Sequence, residues 1–252
     1  PFLLMDYAPV HYFPPNNGAP RGVGSHPHRG IETVTIAYKG KVENNDRKGA
    51  GGVIEEGGVQ WMTSGKGILH KEYHEKNFSK KGGEMQMVQL WVNLPAKDKM
   101  TEPKYQNIEN KDLAKVDLGN GIGSIDIIAG EFEKNKGPAS SFTPMSLFNV
   151  KLNKGKGTSL SFNENHNTGL LIIKGNVIIN NKERAPTNHF VLFENKGKEF
   201  TIKAEDNAEI LVLSGEPIDE PIASYGPFVM NTNDEIKQTI DDFNSGKFGY
   251  LD

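Results

Sequence analysis

Two short segments of this sequence carry side chains that bind transition metals. The first contains His26 and His28, and the second, farther along the chain, contains His70 and Glu72. Because residues i and i+2 of an extended strand point to the same face, each pair would present its side chains on one side. Three imidazoles and one carboxylate suit a divalent ion such as iron, with coordination positions left open for a substrate. The spacing therefore predicts a metal site where two such strands lie side by side.

Each pair also has an ordinary explanation. His26 and His28 would be solvated imidazoles if their segment were a surface loop. His70 and Glu72 would be part of an exposed strand face if their strand had no partner on that side. Glycine turns and apolar strand residues flank both pairs, and this combination favours a metal site over the two separate explanations.

Other titratable residues lie close to these pairs in the sequence. Glu32 comes four residues after His28, which places it on the same inward face if the strand is continuous. It is a candidate fifth ligand or ligand-supporting residue, but a purely structural role is favoured. His74 is interpreted as a solvated loop histidine, and His11 and His189 as residues outside the site.

The composition favours an all-β protein and excludes several functions. The 252 residues include 28 glycines and 14 prolines, and short apolar runs recur between turn signals. The net charge of −3 gives no basic footprint for direct nucleic-acid binding, and no apolar run is long enough to cross a bilayer. With no cysteine, disulfides and thiolate sites are excluded, and a cytoplasmic location is expected. The chain opens at Pro1 without an initiating methionine, which is consistent with missing upstream residues.

The second half of the chain is a weaker copy of the first. The turn at Lys39-Gly40 has a counterpart at Lys174-Gly175, and both turns follow an apolar strand. Aligning the two turns places Ser161 and Asn163 where the first histidine pair stands. The sequence therefore predicts that only the first copy binds a metal.

Two domains are predicted from this repeat, at residues 1–130 and 131–252. The second domain includes a C-terminal helix that begins at Thr232 or Asn233 and ends before Gly246. Its apolar stripe, which we expect to pack on a sheet, consists of Ile236, Ile240 and Phe243.

The motifs His26-Pro27-His28-Arg29-Gly30 and Gly65-Lys66-Gly67-Ile68-Leu69-His70 resemble those of the pirin family, in the bicupin branch of the cupin superfamily. The likeness continues through residues 90–95, 128–132 and 225–232, and it covers almost the whole chain. It implies two antiparallel β-barrel cupin domains in tandem. It also implies one metal ion in the N-terminal barrel, held at the positions of His26, His28, His70 and Glu72.

The resemblance also implies a function. Some pirins are quercetin 2,3-dioxygenases, which cleave flavonols with dioxygen and release carbon monoxide. Fe2+ is then the expected cofactor, and the same ligands accept manganese, nickel, copper or zinc. The substrate would be a small planar phenol or enol, with Glu72 as the proton acceptor. The alternative is a non-enzymatic, redox-sensitive iron-binding regulator that acts through a protein partner.

Overall fold

Short antiparallel strands make up most of the structure, a computed structural model that describes residues 1–46 and 51–251. Strand residues account for 53% of the described residues, so the predicted all-β class is confirmed. The described residues form two α-helices, α1 (Lys76–Lys81) and α2 (Asn233–Asn244). Neither of these helices has the length and apolar character that a membrane-spanning helix needs.

In the first part of the chain, the described residues form nine strands. They are β1 (Phe2–Phe13), β2 (Gly22–His28), β3 (Ile31–Lys39), β4 (Val42–Asp46), β5 (Gly51–Ile54), β6 (Val59–Thr63), β7 (Ile68–His74), β8 (Gly83–Asn93) and β9 (Lys104–Ile108).

The remaining strands follow in two groups. The first group is β10 (Ala114–Asp117), β11 (Gly123–Ala129), β12 (Glu131–Phe132), β13 (Asn135–Lys136), β14 (Met145–Leu152), β15 (Gly157–Ser161), β16 (Asn167–Lys174), β17 (Val177–Ile179), β18 (Glu183–Ala185), β19 (Phe190–Leu192), β20 (Glu199–Ala204) and β21 (Ala208–Gly215). The second group, directly before α2, is β22 (Ala223–Tyr225) and β23 (Phe228–Met230).

Two sheets build the N-terminal unit, which comprises residues 2–111 and 218–251 of the described chain. One sheet has the strand order β1-β8-β3-β6-β9, and the other has the order β2-β7-β4-β5. The ribbon β22-β23 belongs to the same unit. In the C-terminal unit, residues 112–217, the two main sheets have the orders β10-β11-β14-β21-β16-β19 and β15-β20-β17-β18.

Strand β3 separates a polar face from an apolar face in the first sheet. Thr35 lies opposite Gln60 of β6 and Gln89 of β8, so these three side chains share one face. Val34 lies opposite Trp61 and Leu90 on the other face. Both faces are buried along the strand. A polar row inside a buried sheet needs hydrogen-bonding partners, and it marks the interior that the candidate site occupies.

The repeat predicted from the sequence is visible in the backbone. A register shift lies directly before Lys39, where β3 pairs with β8, and directly before Lys174, where β16 pairs with β21. The glycines that follow have nearly the same left-handed conformation, with φ of 82° at Gly40 and 77° at Gly175. Such a bend at the same place in both sheets indicates two copies of one fold, and the prediction of two antiparallel barrel domains is confirmed.

The compact units differ from the predicted division at residue 130. Residues 112–130 group with the C-terminal unit, and helix α2 groups with the N-terminal unit. Ile236 of the helix packs with Leu69 of β7 and Phe228 of β23, so the predicted packing of the stripe on a sheet is confirmed. A boundary between independently folding domains at 130/131 stays a prediction.

Candidate metal centre

Strand pairing brings the two ligand-bearing segments together. In the antiparallel pair β2–β7, His26 lies directly opposite His70, and His28 lies opposite Ile68. Directly opposed residues in such a pair project to the same face, so the three histidines converge. The chain turns from β2 into β3 at Gly30. This residue must be glycine, because its φ is +79° and an added Cβ would lie 1.9 Å from the carbonyl oxygen of Val229.

The three imidazoles form a tight group. One ring nitrogen from each of His26, His28 and His70 lies within 4.8 Å of the others. The ring centroids of His26 and His70 are 4.2 Å apart, and His28 is 5.0 Å from each of the other two. The described residues contain one such group of three or more metal-binding side chains. Ser161 and Asn163, aligned with the first histidine pair in the second copy, are exposed.

Burial keeps two of these imidazoles neutral. His28 is 2% exposed and His70 is 1% exposed. Burial lowers the pKa of His28 to about 3, helped by the charge of His26, while the backbone carbonyl of Pro227 acts weakly in the opposite direction. Burial, together with the charges of His28 and His26, also lowers the pKa of His70 well below its usual value. The neutral imidazole is the form that binds a metal ion, so His28 and His70 are in the metal-binding form over the whole neutral pH range.

Hydrogen bonding shows that these residues fit a metal ion. Both ring nitrogens of His70 are buried and have no partner among the described residues. Leaving buried polar atoms unpaired costs about 1–3 kcal/mol each, and a metal ion would satisfy one of them. Nδ1 of His26 lies 2.8 Å from the carbonyl oxygen of Gly24. Because a carbonyl only accepts, Nδ1 carries the proton and the Nε2 lone pair is free for a metal.

Glu72 lies on the same strand face as His70 but outside the tight group of imidazoles. Its Oε1 accepts a hydrogen bond from Thr35 Oγ1 at 3.2 Å, and its Oε2 accepts one from Gln89 Nε2 at 2.8 Å. Glu72 as a whole residue is 9% exposed. The structure therefore brings the three histidines together and holds Glu72 beside them, and the role of Glu72 as fourth ligand stays a prediction.

Several residues of the site were not identified from the sequence. Thr35 and Gln89 hold Glu72, and Trp91 packs edge-on against His28, with ring centroids 5.2 Å apart. The sequence feature that could have identified Thr35 and Gln89 is a polar residue inside an apolar strand. Thr35 stands between Val34 and Ile36, and Gln89 stands between Val88 and Leu90. A residue that interrupts a buried run needs an internal partner.

Two buried amides in the same interior have unpaired atoms. Asn44 of β4 is opposite Glu72 and is 0% exposed, and neither its Nδ2 nor its Oδ1 has a hydrogen-bond partner in the described chain. Gln60, opposite Thr35 and 3% exposed, has an unpaired Nε2. These atoms offer donors and an acceptor to a polar molecule beside Glu72.

Glu32 does not face the imidazoles. It lies opposite Thr63 and Val92. Its side chain is therefore on the other face of β3 from the side chains of Thr33 and Thr35. Thr63 Oγ1 donates a hydrogen bond of 2.6 Å to its Oε1. The predicted inward position is wrong, because the turn at Gly30 breaks the two-residue period between His28 and Glu32. The structural role is the one that the geometry supports.

Replacing Glu32 by glutamine should change how stability depends on pH. Burial raises the pKa of Glu32 from 4.5 to about 7, while the hydrogen bond from Thr63 acts in the opposite direction. The native state therefore binds more protons than the unfolded chain between these values, and stability falls as pH rises through them. The shift corresponds to roughly 3 kcal/mol.

We therefore expect Glu32→Gln to be more stable than the wild type by up to roughly 3 kcal/mol at about pH 8, and equally stable at about pH 4. Urea unfolding at both pH values measures the difference. A stability difference that is the same at both values would show that Glu32 does not titrate in this range.

His74 also differs from its sequence interpretation. It is the last residue of β7 and is partly buried, with its ring packed edge-on against Phe13 and Phe78 at centroid distances of 4.7 Å and 5.5 Å. The strand extends farther than the histidine-glutamate pair suggested, so His74 is a packing residue and not a solvated loop residue. His189 is exposed, and its Nδ1 lies 3.1 Å from the carbonyl oxygen of Thr187.

Comparisons with known families cover most of the chain. Residues 1–92 match the family described as pirin, and residues 147–249 match the pirin C-terminal cupin domain. A Pseudomonas aeruginosa protein named "putative quercetin 2,3-dioxygenase" is 45% identical over 248 residues, which cover 98% of this chain and 86% of the relative. A pirin-like protein of Arabidopsis thaliana is 36% identical, covering 99% of this chain and 80% of the relative.

A solved structure agrees with these sequence relationships. The crystal structure of quercetin 2,3-dioxygenase from Acinetobacter baumannii matches with a TM-score of 0.95 and 47% identity. The match covers 100% of this chain and 87% of that one. The similarity therefore includes both units and the strands that carry the histidines.

Proposed function

Because this chain belongs to the pirin family of the cupin superfamily, we propose that it is a metal-dependent dioxygenase that cleaves flavonols such as quercetin and releases carbon monoxide. The observation that carries the proposal is the group of three convergent imidazoles, in which both nitrogens of His70 are buried without partners among the described residues. The substrate class is supported by the Pseudomonas aeruginosa relative named "putative quercetin 2,3-dioxygenase" and by the crystal structure of quercetin 2,3-dioxygenase from Acinetobacter baumannii.

The proposed ligands are His26, His28, His70 and Glu72, and the proposed metal is Fe2+. Nitrogen and oxygen donors without a thiolate suit iron, and they also accept manganese, nickel, copper or zinc. The chemistry that such an ion supplies is Lewis acidity towards the flavonol 3-hydroxyl and a route for electrons between substrate and dioxygen.

Glu72 is the proposed proton acceptor for that 3-hydroxyl. Its two oxygens are oriented by Thr35 and Gln89, so the carboxylate is fixed on the face that the imidazoles share. A carboxylate held in this way accepts a proton at one oxygen while the other keeps its hydrogen bond. Positioning by two side chains also limits the geometries that the base can adopt.

The surrounding interior offers both apolar and polar contacts to a planar phenol. Met62 lies opposite Thr33 on the inner face of the sheet, and Trp91 lies opposite Thr33 from the other neighbouring strand. The unpaired amide atoms of Asn44 and Gln60 would bind phenolic hydroxyl groups. An aromatic molecule with several hydroxyls satisfies both kinds of contact.

The test is an anaerobic assay. The full chain is loaded with Fe2+, quercetin is added without oxygen, and dioxygen is then admitted. We expect loss of the flavonol absorbance with release of one carbon monoxide per quercetin, and no turnover by the metal-free chain. An iron-loaded chain that leaves both quercetin and its absorbance unchanged would contradict the proposal, and it would favour the regulatory alternative or another small enol.

A further inference from the structure

We propose that Arg29, anchored by Asp242 of helix α2, is a positioning residue for the metal centre. Its side chain fixes the strand end that carries His28 relative to the turn that leads to His70. The C-terminal helix would then determine how well the imidazoles converge. This inference rests on the proposed metal site, and it assigns a function in metal binding to residues that do not touch the metal.

Arg29 follows His28 directly, and its side chain points away from solvent. The residue is 4% exposed. Its Nε donates a hydrogen bond of 2.7 Å to the carbonyl oxygen of Lys66. Lys66 lies in the turn before β7, whose fourth following residue is His70. One guanidinium therefore links the end of one ligand strand to the start of the other, independently of the β2–β7 hydrogen bonds.

The other side of the guanidinium binds the C-terminal helix. Nη1 donates to Asp242 Oδ2 at 2.9 Å and to Thr239 Oγ1 at 3.2 Å. The guanidinium carbon lies 4.7 Å from the ring centroid of Phe248, in a cation–π contact. The same ring contacts Gly67, where an added Cβ would lie 2.5 Å from it. The helix and Phe248 thus enclose both the side chain of Arg29 and the turn that it holds.

The backbone of Arg29 and Gly30 is held by strand β23 and by Lys99. The N–H of Val229 donates to the carbonyl oxygen of Arg29 at 3.1 Å. Lys99, which is 1% exposed, donates from Nζ to the carbonyl oxygens of Gly30 and Val229 at 3.0 Å and 2.9 Å. Strand β23 therefore fixes the main chain directly after His28, and Arg29 transmits that position to the second segment.

Asp242 is arranged to remain charged. Lys247 Nζ and Gln238 Nε2 donate to its Oδ1 at 2.6 Å and 2.9 Å, while Arg29 occupies Oδ2. The hydrogen bond from Lys247, ahead of those from Arg29 and Gln238, lowers the pKa of Asp242 to about 2. A buried guanidinium needs a charged partner. The carboxylate of Asp242 stays ionised, and so remains such a partner, at every pH at which the site would bind a metal.

Arginine is required here by geometry and not by charge alone. Nε of the planar guanidinium donates to Lys66, Nη1 donates to both Thr239 and Asp242, and the flat face lies against Phe248. A lysine ammonium keeps the charge but cannot bridge these partners from one position or stack in the same way. The substitution Arg29→Lys therefore separates positioning from charge pairing.

The test measures metal affinity, with Co2+ as the probe, on the full metal-free chain. Arg29→Lys and Asp242→Asn should each weaken Co2+ binding by about 10- to 100-fold, the range observed when residues that orient ligands are changed. Their Co2+ absorption spectra should also shift, because the spectrum depends on the arrangement of the ligands. Thermal unfolding of the same samples shows whether each variant is folded.

Asp126→Asn is the matched control. Asp126 is also a buried aspartate in an ion pair, 2.8 Å from Lys151 Nζ, but it belongs to the C-terminal unit. This control should lose stability and keep the wild-type Co2+ affinity and spectrum within about twofold. Wild-type affinity and spectra for both Arg29→Lys and Asp242→Asn would overturn the inference, as would equal weakening by Asp126→Asn. A wild type that binds no Co2+ would overturn the proposed metal site as well.

Discussion

Replacing His70 by alanine is expected to abolish metal binding and, with it, dioxygenase activity. His70 is the most buried of the three imidazoles, and its ring centroid lies 4.2 Å from that of His26 and 5.0 Å from that of His28. Its removal leaves two histidines and Glu72, and it takes away the imidazole whose two nitrogens are both buried without a partner among the described residues. We expect the affinity for Fe2+ to fall by at least about 10³-fold, on the argument that loss of a direct ligand exceeds the roughly 10–100-fold loss for an outer-shell residue.

Thermal unfolding provides a second measure of the same change. A metal present at about 100 times its Kd stabilises the wild type by about 2.7 kcal/mol. For a chain of this size the increase in Tm is about 5–10 °C. His70→Ala should show no such increase, while its metal-free Tm stays close to that of the metal-free wild type, because the substitution also removes two unpaired buried nitrogens.

The control for this prediction is His189→Ala, which removes an exposed histidine from the C-terminal unit. It should bind one metal ion with wild-type affinity. If His70→Ala also bound one metal ion with unchanged affinity, the three-histidine site would be excluded as the place of binding.

Replacing Glu72 by glutamine should lower kcat/KM for quercetin by about 10²–10⁴-fold at full metal occupancy. Glutamine has nearly the same shape and can accept a hydrogen bond from Thr35, but it cannot take up the proton of the substrate hydroxyl. Activity is measured at metal concentrations high enough to saturate the variant, so that weaker metal binding does not contribute to the loss.

Thr35→Val gives the matched control for Glu72. It removes one hydrogen bond to the carboxylate and keeps the carboxylate itself, along with the hydrogen bond from Gln89. We expect a loss of about 10- to 100-fold at most, since one hydrogen bond to a charged group contributes about 1.5–3 kcal/mol. A Glu72→Gln variant with the same activity as Thr35→Val would show that proton acceptance lies elsewhere.

The ligand pairs could be identified from the sequence because strand alternation is a local property. The two-residue spacing of His26 and His28, and of His70 and Glu72, places each pair on one face whatever the rest of the chain does. Once each pair lies on one face, the pairing of β2 with β7 is enough to bring the three histidines together. The position of Glu72 beside the group depends in addition on Thr35 and Gln89, which approach from another sheet.

Predictions that crossed a turn were less successful. Counting four residues from His28 to Glu32 assumes one continuous strand, but the chain turns at Gly30, and Glu32 emerges on the other face. The bond between Arg29 and Asp242 joins residues 213 positions apart in the sequence. No local pattern indicates such a contact, and the grouping of helix α2 with the N-terminal unit could not be predicted for the same reason.

The most direct test of the proposed metal centre is anomalous X-ray diffraction at the iron edge, from crystals of the iron-loaded full chain. We predict a single strong peak per chain, roughly 2 Å from a ring nitrogen of each of His26, His28 and His70 and from one carboxylate oxygen of Glu72. A peak at any other place, or fully iron-loaded crystals in which both nitrogens of His70 still lack a partner, would contradict it.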